Sequence, residues 1–218
     1  MATILMRLTE ERAANQYDRW IGLLTLGQAS AMRNYLLDSV VPRRGRVLDL
    51  GCGTGQLLVE AGRRGATGVG VDLNPRMLKL AQERCRRYNL KRRLRFFLGS
   101  ALSLDIEAHT FDIVVSTLLI SELQPKELER LLQEAARMVK PGGLVAIGGE
   151  GEVRAGLIGA FTSMIRRASF WIVSKLTTLI SHPHHRVAQA MKNAGLNPRY
   201  KVSFLQGMLV LFVAEAEK

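Results

Sequence analysis

The run VLDLGCGTG, Val47 to Gly55, ends an apolar stretch in an acid and then alternates glycines. Glycines placed there let the backbone approach a ligand closely, and the helix that follows points its first N–H groups at it. The spacing is Gly51-x-Gly53-x-Gly55. It is neither the GxGxxG of dinucleotide sites nor a P-loop, which needs Gly-Lys-Ser/Thr. Asp72 closes the next apolar run, GVGVDL, where an acid can accept hydrogen bonds from ribose hydroxyls. Glycines with such an acid suggest a nucleoside ligand. The blander readings are a tight turn for the glycines and a helix cap for Asp72, but Asn74 fills the cap role better. Cys52 reads as a small packing residue rather than a nucleophile.

Elements must place these residues. Helices are expected over about 9–20 and 28–39, the second with Ala29, Met32, Leu36 and Leu37 on one face. Buried strands are expected at 46–50, 68–73, 94–99, 111–117 and 144–149, with KPGG (140–143) as a turn before the last. Helices fall between them, over 56–64, from Pro75 to about Tyr88, and from Pro125. Continuous apolar strands alternating with helices predict a parallel sheet covered on both faces. YKVSFL, Gln206-Gly207 and MLVLFVAE read as an antiparallel hairpin that closes it. In such a sheet, ligands sit at the carboxyl ends of the strands, so the glycine loop is the site.

At 218 residues the chain suits one domain. Lys and Arg number 31 against 19 Asp and Glu, a net charge of +12. That field attracts nucleic acid or an anionic lipid surface, or reflects an Arg-rich surface in a heat-adapted host. Two cysteines, Cys52 and Cys85, make neither a disulfide scaffold nor a metal pair, and fit a reducing cytoplasm. Acids and arginines come too early for a secretory signal.

The motifs VLDLGCGTG, VGVD, FDIVVS and MVKPGG, in this order and spacing, resemble the class I S-adenosylmethionine-dependent methyltransferases over about residues 45–150. The fold so implied is Rossmann-like: a seven-stranded, mainly parallel sheet with a C-terminal antiparallel hairpin and helices on both faces. The methionine end of the cofactor would lie on Asp49 and the loop Gly51, Cys52, Gly53 and Gly55. Asp72 would take the ribose hydroxyls, with Leu73 and Met77 beside the adenine. Ser100, Ala101 and Leu102 stand where the family often has Asp-Ala at the adenine rim, with Ser100 replacing the acid. Thr117 and Leu118 would lie near the sulfur. NQYDRW resembles an N-terminal motif whose aromatic, here Tyr17, covers the cofactor; residues 1–40 would form capping helices on a 41–218 domain. AGL followed by GMLVLFVAEAEK is weakly similar to the quinone-biosynthesis C-methyltransferases and bacterial phospholipid N-methyltransferases.

Methyl transfer from a sulfonium needs no metal, only in-line alignment. A base is needed only for an acceptor that carries a proton. Catalytic candidates are Glu122, Tyr17 and His184, the last within SHPHHR, which also reads as a polar helix start. Ser116-Thr117-Leu118-Leu119 replaces the Asn/Asp-Pro-Pro-Tyr of exocyclic-amine nucleic-acid methyltransferases. The segment GLIGAFTSMIRRASFWIVSKLTTLI, 156–180, carries an apolar helical stripe with extra apolar residues off it. It predicts a lid insertion over 151–185, hence a lipophilic substrate or contact with an anionic membrane surface at the inner face. Core packing, within a monomer or a homodimer, is the alternative. Arg76, Lys79, Arg84, Arg86, Arg87, Lys91, Arg92, Arg93 and Arg95 crowd one helix and the loop after it. Lipid head groups or RNA would suit them, as would plain solvent. The reading is therefore a methyltransferase for a quinone precursor or phospholipid head group. The alternatives are an RNA or protein methyltransferase and a non-catalytic cofactor-binding scaffold.

Overall fold

The computed structural model describes residues 11–151 and 186–217. His184 and, beyond Gly151, the expected lid lie outside the described residues. Helices α1 (Glu11–Leu24) and α2 (Gln28–Ser39) precede strand β1 (Arg46–Leu50). Then come α3 (Gln56–Arg63), β2 (Thr67–Asp72), α4 (Pro75–Arg87) and β3 (Leu94–Leu98). β4 (Phe111–Thr117) leads through a 3-10 turn, Leu119–Glu122, to α5 (Pro125–Met138) and β5 (Val139–Glu150). After the undescribed segment come α6 (Val187–Asn193), β6 (Leu196–Phe204) and β7 (Leu209–Ala216).

The seven strands form one sheet in the order β3-β2-β1-β4-β5-β7-β6. The first five strands pair in parallel, and β7 runs antiparallel between β5 and β6. The expected fold class is the observed one. Strand alternation splits the core in two. Val47, Ile113, Val115 and Ala146 face Met32, Leu36, Leu57 and Leu58 of α2 and α3. Leu48, Leu50, Val114 and Ile147 face Leu128, Leu131 and Leu132 of α5 and Met191 of α6. Asp49 continues the row of Val47, so it faces the side of α2 and α3.

Local chemistry explains the element ends. Asn74 caps α4, accepting from the N–H groups of Arg76 at 3.0 Å and Met77 at 3.4 Å, and Pro75 takes the first turn. Gln124 and Glu127 form a reciprocal box at the start of α5. KPGG does not stand before β5 as a separate turn. Phe111 pairs with Val139 and Ile113 with Leu144, so Lys140–Gly143 bulge within the strand opposite Asp112. Pro141 lacks an N–H to pair, and Gly142 has φ +73°. Among the described residues no helix is long and apolar enough to cross a membrane.

Candidate active site

β1 is flanked by β2 on one side and β4 on the other, so chain connections diverge there. A crevice opens at such a switch point, outside the carboxyl ends of the strands. The loop Gly51–Gly55 crosses it. Gly51 has φ +72°, and a Cβ on it would sit 2.9 Å from Leu119 Cδ2. Gly55 has φ +70°, and its Cβ would meet Ala81 Cβ at 2.8 Å and Phe96 Cε1 at 3.0 Å. Both positions need glycine for backbone angle and for room. At the end of β4, Leu118 holds φ +67°, a costly angle for leucine, while its N–H donates to Gly148 O at 2.8 Å.

The loop is ringed by carboxylates. Asp49 is 2% exposed and its Oδ1 has no hydrogen-bond partner. Burial, and then the nearby Asp72, push its pKa up to about 7. An unpaired buried carboxylate is costly, and a cation placed beside it would relieve the cost. Asp72 accepts from Gly53 N–H through Oδ2 and from Asn74 N–H through Oδ1, each at 2.8 Å. Burial raises its pKa, opposed by these backbone N–H groups. Asp72 thus clamps the glycine loop as well as ending β2, and each oxygen retains a lone pair for a further donor. Burial pushes the Cys52 thiol well above its ordinary value, with Asp49 and Asp72 adding to the effect. Cys52 is a protonated packing group, as the sequence suggested.

The N-terminal helices close the crevice from the α2–α3 side. Asp18 of α1 accepts from Thr54 Oγ1 at 2.8 Å and from Arg84 at 2.6 Å. The same guanidinium donates to Thr54 O at 2.7 Å and Oγ1 at 2.9 Å. One network therefore ties α1, the loop and α4 together. Arg33 of α2 donates to Gln56 Oε1 at 2.5 Å and Ser30 Oγ at 3.0 Å. Tyr17 packs on Met77, and burial raises its hydroxyl pKa, followed by Glu122, Asp18 and Asp72. The phenol therefore stays protonated and keeps an O–H available to donate.

One cavity gathers Tyr17, Asp49, Gly51, Cys52, Gly53, Thr117 and Leu118 of the expected residues. Gly55, where the loop enters α3, does not line it. Asp72 and Met77 border the site through Gly53 and Tyr17. Leu73 is 67% exposed at the end of β2. Ser100, buried Ala101 and Leu102 form a turn past β3 in which Ser100 Oγ accepts from Leu102 N–H at 3.2 Å. They do not line this cavity. Glu122 lies in the 3-10 turn after β4, within electrostatic reach of Tyr17 and Asp72. Further lining residues escaped sequence reasoning, among them Arg33, Gln56 and Thr54. Thr54 stood inside the motif, but Arg33 and Gln56 carry no local signal.

Residues 47–143 match a family model described as a methyltransferase domain. A demethylmenaquinone methyltransferase of Lactobacillus johnsonii is 32% identical over 62% of this chain and 57% of its own length. A ubiquinone/menaquinone biosynthesis C-methyltransferase of Idiomarina loihiensis is 31% identical over 63% of this chain and 55% of its own. The chain thus spans little more than half the length of these curated relatives. A solved O-methyltransferase family protein from Burkholderia thailandensis superposes with TM-score 0.74 at 22% identity, over 95% of this chain and 60% of that one. Residues 47–143 carry a methyltransferase domain, and these likenesses together support a class I S-adenosylmethionine-dependent methyltransferase. The residues present fit that cofactor. Asp49 offers an unpaired carboxylate to an ammonium group, the glycine loop leaves room for close approach, and Asp72 keeps lone pairs for ribose hydroxyls.

Proposed function

We propose that the protein transfers a methyl group from S-adenosylmethionine to a lipophilic small molecule of the quinone-precursor type. The observation that carries methyl transfer is the unpartnered Asp49 carboxylate beside the glycine loop at the switch point. Carboxylates dominate the crevice of a chain whose net charge is +12, which suits a ligand bearing a sulfonium and an ammonium. The acceptor class is supported by the names of the two relatives and by the apolar lining of the cavity, which includes Ile21, Met32, Leu57 and Leu118.

When bound, the cofactor supplies an electrophilic methyl on a leaving group that needs no acid. The chain's own work is then alignment, dryness and proton transfer. Asp49 and the loop hold the methionine end, and Asp72 the ribose. Tyr17 covers the cofactor as a hydrogen-bond donor. A ring carbon or hydroxyl that gains the methyl must give up a proton, and Glu122 takes it. With the cofactor held there, the acceptor would gain the methyl in line with the departing thioether, and the proton it gives up would end on the Glu122 carboxylate.

The test follows the label. The protein is incubated with methyl-labelled cofactor and an extract divided into lipid, RNA, protein and aqueous fractions. Label in the lipid fraction is expected, and Glu122→Gln lowers turnover by about 10²–10⁴-fold while leaving cofactor affinity intact. Label confined to RNA or protein would overturn the acceptor class. Cofactor binding with no transfer to any fraction would favour a scaffold.

A further inference from the structure

Helix α1 has two faces. The inner one, with Tyr17, Asp18, Ile21 and Gly22, lines the cofactor cavity. The outer one presents large apolar groups to water. Trp20 is 50% exposed and Leu23 64%, and Leu26, in the turn that follows, is 41% exposed. Residues three apart are neighbours along one side of a helix, so Trp20 and Leu23 form a ridge, and Leu26 follows at the same interval. Single exposed apolar residues are ordinary, but a contiguous ridge of them marks a contact surface.

Cations stand beside this ridge. Arg19 is exposed next to Trp20. α1 seats on one edge of α4, where Tyr17 packs on Met77 and Asp18 meets Arg84. The exposed side of α4 carries Arg76, Lys79, Arg86 and Arg87, with Glu83 as the helix's one acid. Arg87 lies three residues from Arg84, so it borders the seat of α1. Charge then chooses among partners. A second copy docked on this face would bring like charges together around the ridge. RNA would answer the cations but not the leucines, which cannot stack on bases as an aromatic does. A bilayer with anionic head groups answers both: tryptophan suits the head-group level, leucines the acyl boundary and cations the lipid phosphates.

We propose that the outer face of α1, with the exposed side of α4, docks the protein on an anionic bilayer surface. The helix lies on the membrane rather than spanning it: α1 has 14 residues, fewer than the about 20 that a span needs. The inner face of the same helix lines the cavity, so docking holds the cavity close to the lipid boundary, where lipophilic molecules concentrate. The docking face does not depend on the identity of the methyl acceptor, since binding to vesicles needs neither cofactor nor turnover.

The experiment uses the full chain with vesicles of phosphatidylcholine, alone or mixed with phosphatidylglycerol, read by co-sedimentation and by tryptophan emission. The chain's 2 tryptophans are Trp20 and Trp171, so Trp171→Phe leaves Trp20 as the reporter. The mixed vesicles are expected to sediment the protein, to move Trp20 emission to the blue, and to quench it when their acyl chains are brominated. Leu23→Ser with Leu26→Ser weakens binding by at least about tenfold. It leaves the melting temperature unchanged, because both side chains are exposed. Arg86→Gln with Arg87→Gln weakens binding by about fivefold per charge removed, and vesicles of phosphatidylcholine alone bind at least about tenfold more weakly than the mixed ones. No sedimentation with the mixed vesicles would overturn the proposal. Binding in which Trp20 neither shifts nor is quenched would also overturn it, by placing the contact elsewhere. So would a blue shift that grows with protein concentration in the absence of lipid, the mark of a second copy, or one that RNA produces and anionic vesicles do not.

Discussion

Two regions of the molecule hold most of its informative charge, and they differ in how that charge is kept. At the carboxyl ends of β1, β2 and β4, Asp18, Asp49, Asp72 and Glu122 gather in full or partial burial. At the opposite end of β3 and the close of α4, Arg86, Arg87, Lys91, Arg92, Arg93 and Arg95 stand exposed. Buried charge is expensive and persists only where something answers it. Exposed charge is solvated and costs little. The acids, though fewer, therefore say more about chemistry than the cations. Strand direction adds to the contrast. β3 begins beside the cation cluster and ends at the crevice, so the cluster sits away from the cofactor loop.

Removing the most expensive acid tests the contrast hardest. Asp49→Asn lowers S-adenosylhomocysteine affinity by about 10²–10³-fold, because it removes one partner of a buried ion pair. It acts on the apo protein in the opposite sense. The folded pKa of Asp49 is about 7, above the ordinary 3.8. Between those values the folded chain keeps a proton that the unfolded chain releases, so stability falls as pH rises and the penalty is complete above pH 7. Asp49→Asn therefore melts higher than the wild type at pH 8, by thermal denaturation without ligand, and loses that advantage below pH 4.

Loosening the latch has a smaller effect. Asp18 and Arg84 are each about a quarter exposed, at 23% and 27%, and are joined through Thr54. Asp18→Asn frees α1 from the loop and weakens cofactor affinity by about 3–10-fold, since only one charged member of a partly screened network is lost. An unchanged dissociation constant would mean that α1 does not contribute to the site.

The smallest effect is expected at the cations. Reversing Arg86, Lys91 and Arg92 to glutamate shifts cofactor affinity by less than about twofold at 0.15 M salt, where screening removes most of the long-range field. A large change would mean that the two regions are coupled.

The same contrast explains what the sequence revealed. Strands and the glycine loop were legible because each signal is local: an apolar run, a glycine every second residue, an acid closing a strand. Asn74 and Pro75 marked the start of α4 for the same reason. The latch was not legible as a latch. Thr54 lies 36 residues from Asp18, and Arg84 lies 66 from it. Within QERCRR nothing distinguishes Arg84 from its neighbours, yet it alone of that run turns inward onto the loop. Arg33 and Gln56 meet only because α2 and α3 pack on one face of the sheet. KPGG read as a turn before the strand, but the pairing of β4 with β5 makes it a bulge within β5, which local sequence does not reveal.

The most direct test is proton release when the cofactor product binds. S-adenosylhomocysteine is titrated at pH 7 in buffers of different ionisation enthalpy. With its pKa at about 7, Asp49 is half protonated before binding, and an ammonium beside it would drive it to the charged form. Release of about half a proton per site is expected at pH 7, falling to a small fraction at pH 8 and absent in Asp49→Asn. No release at pH 7, or the same release in Asp49→Asn, would contradict the claim that the buried carboxylate is the cofactor's anchor.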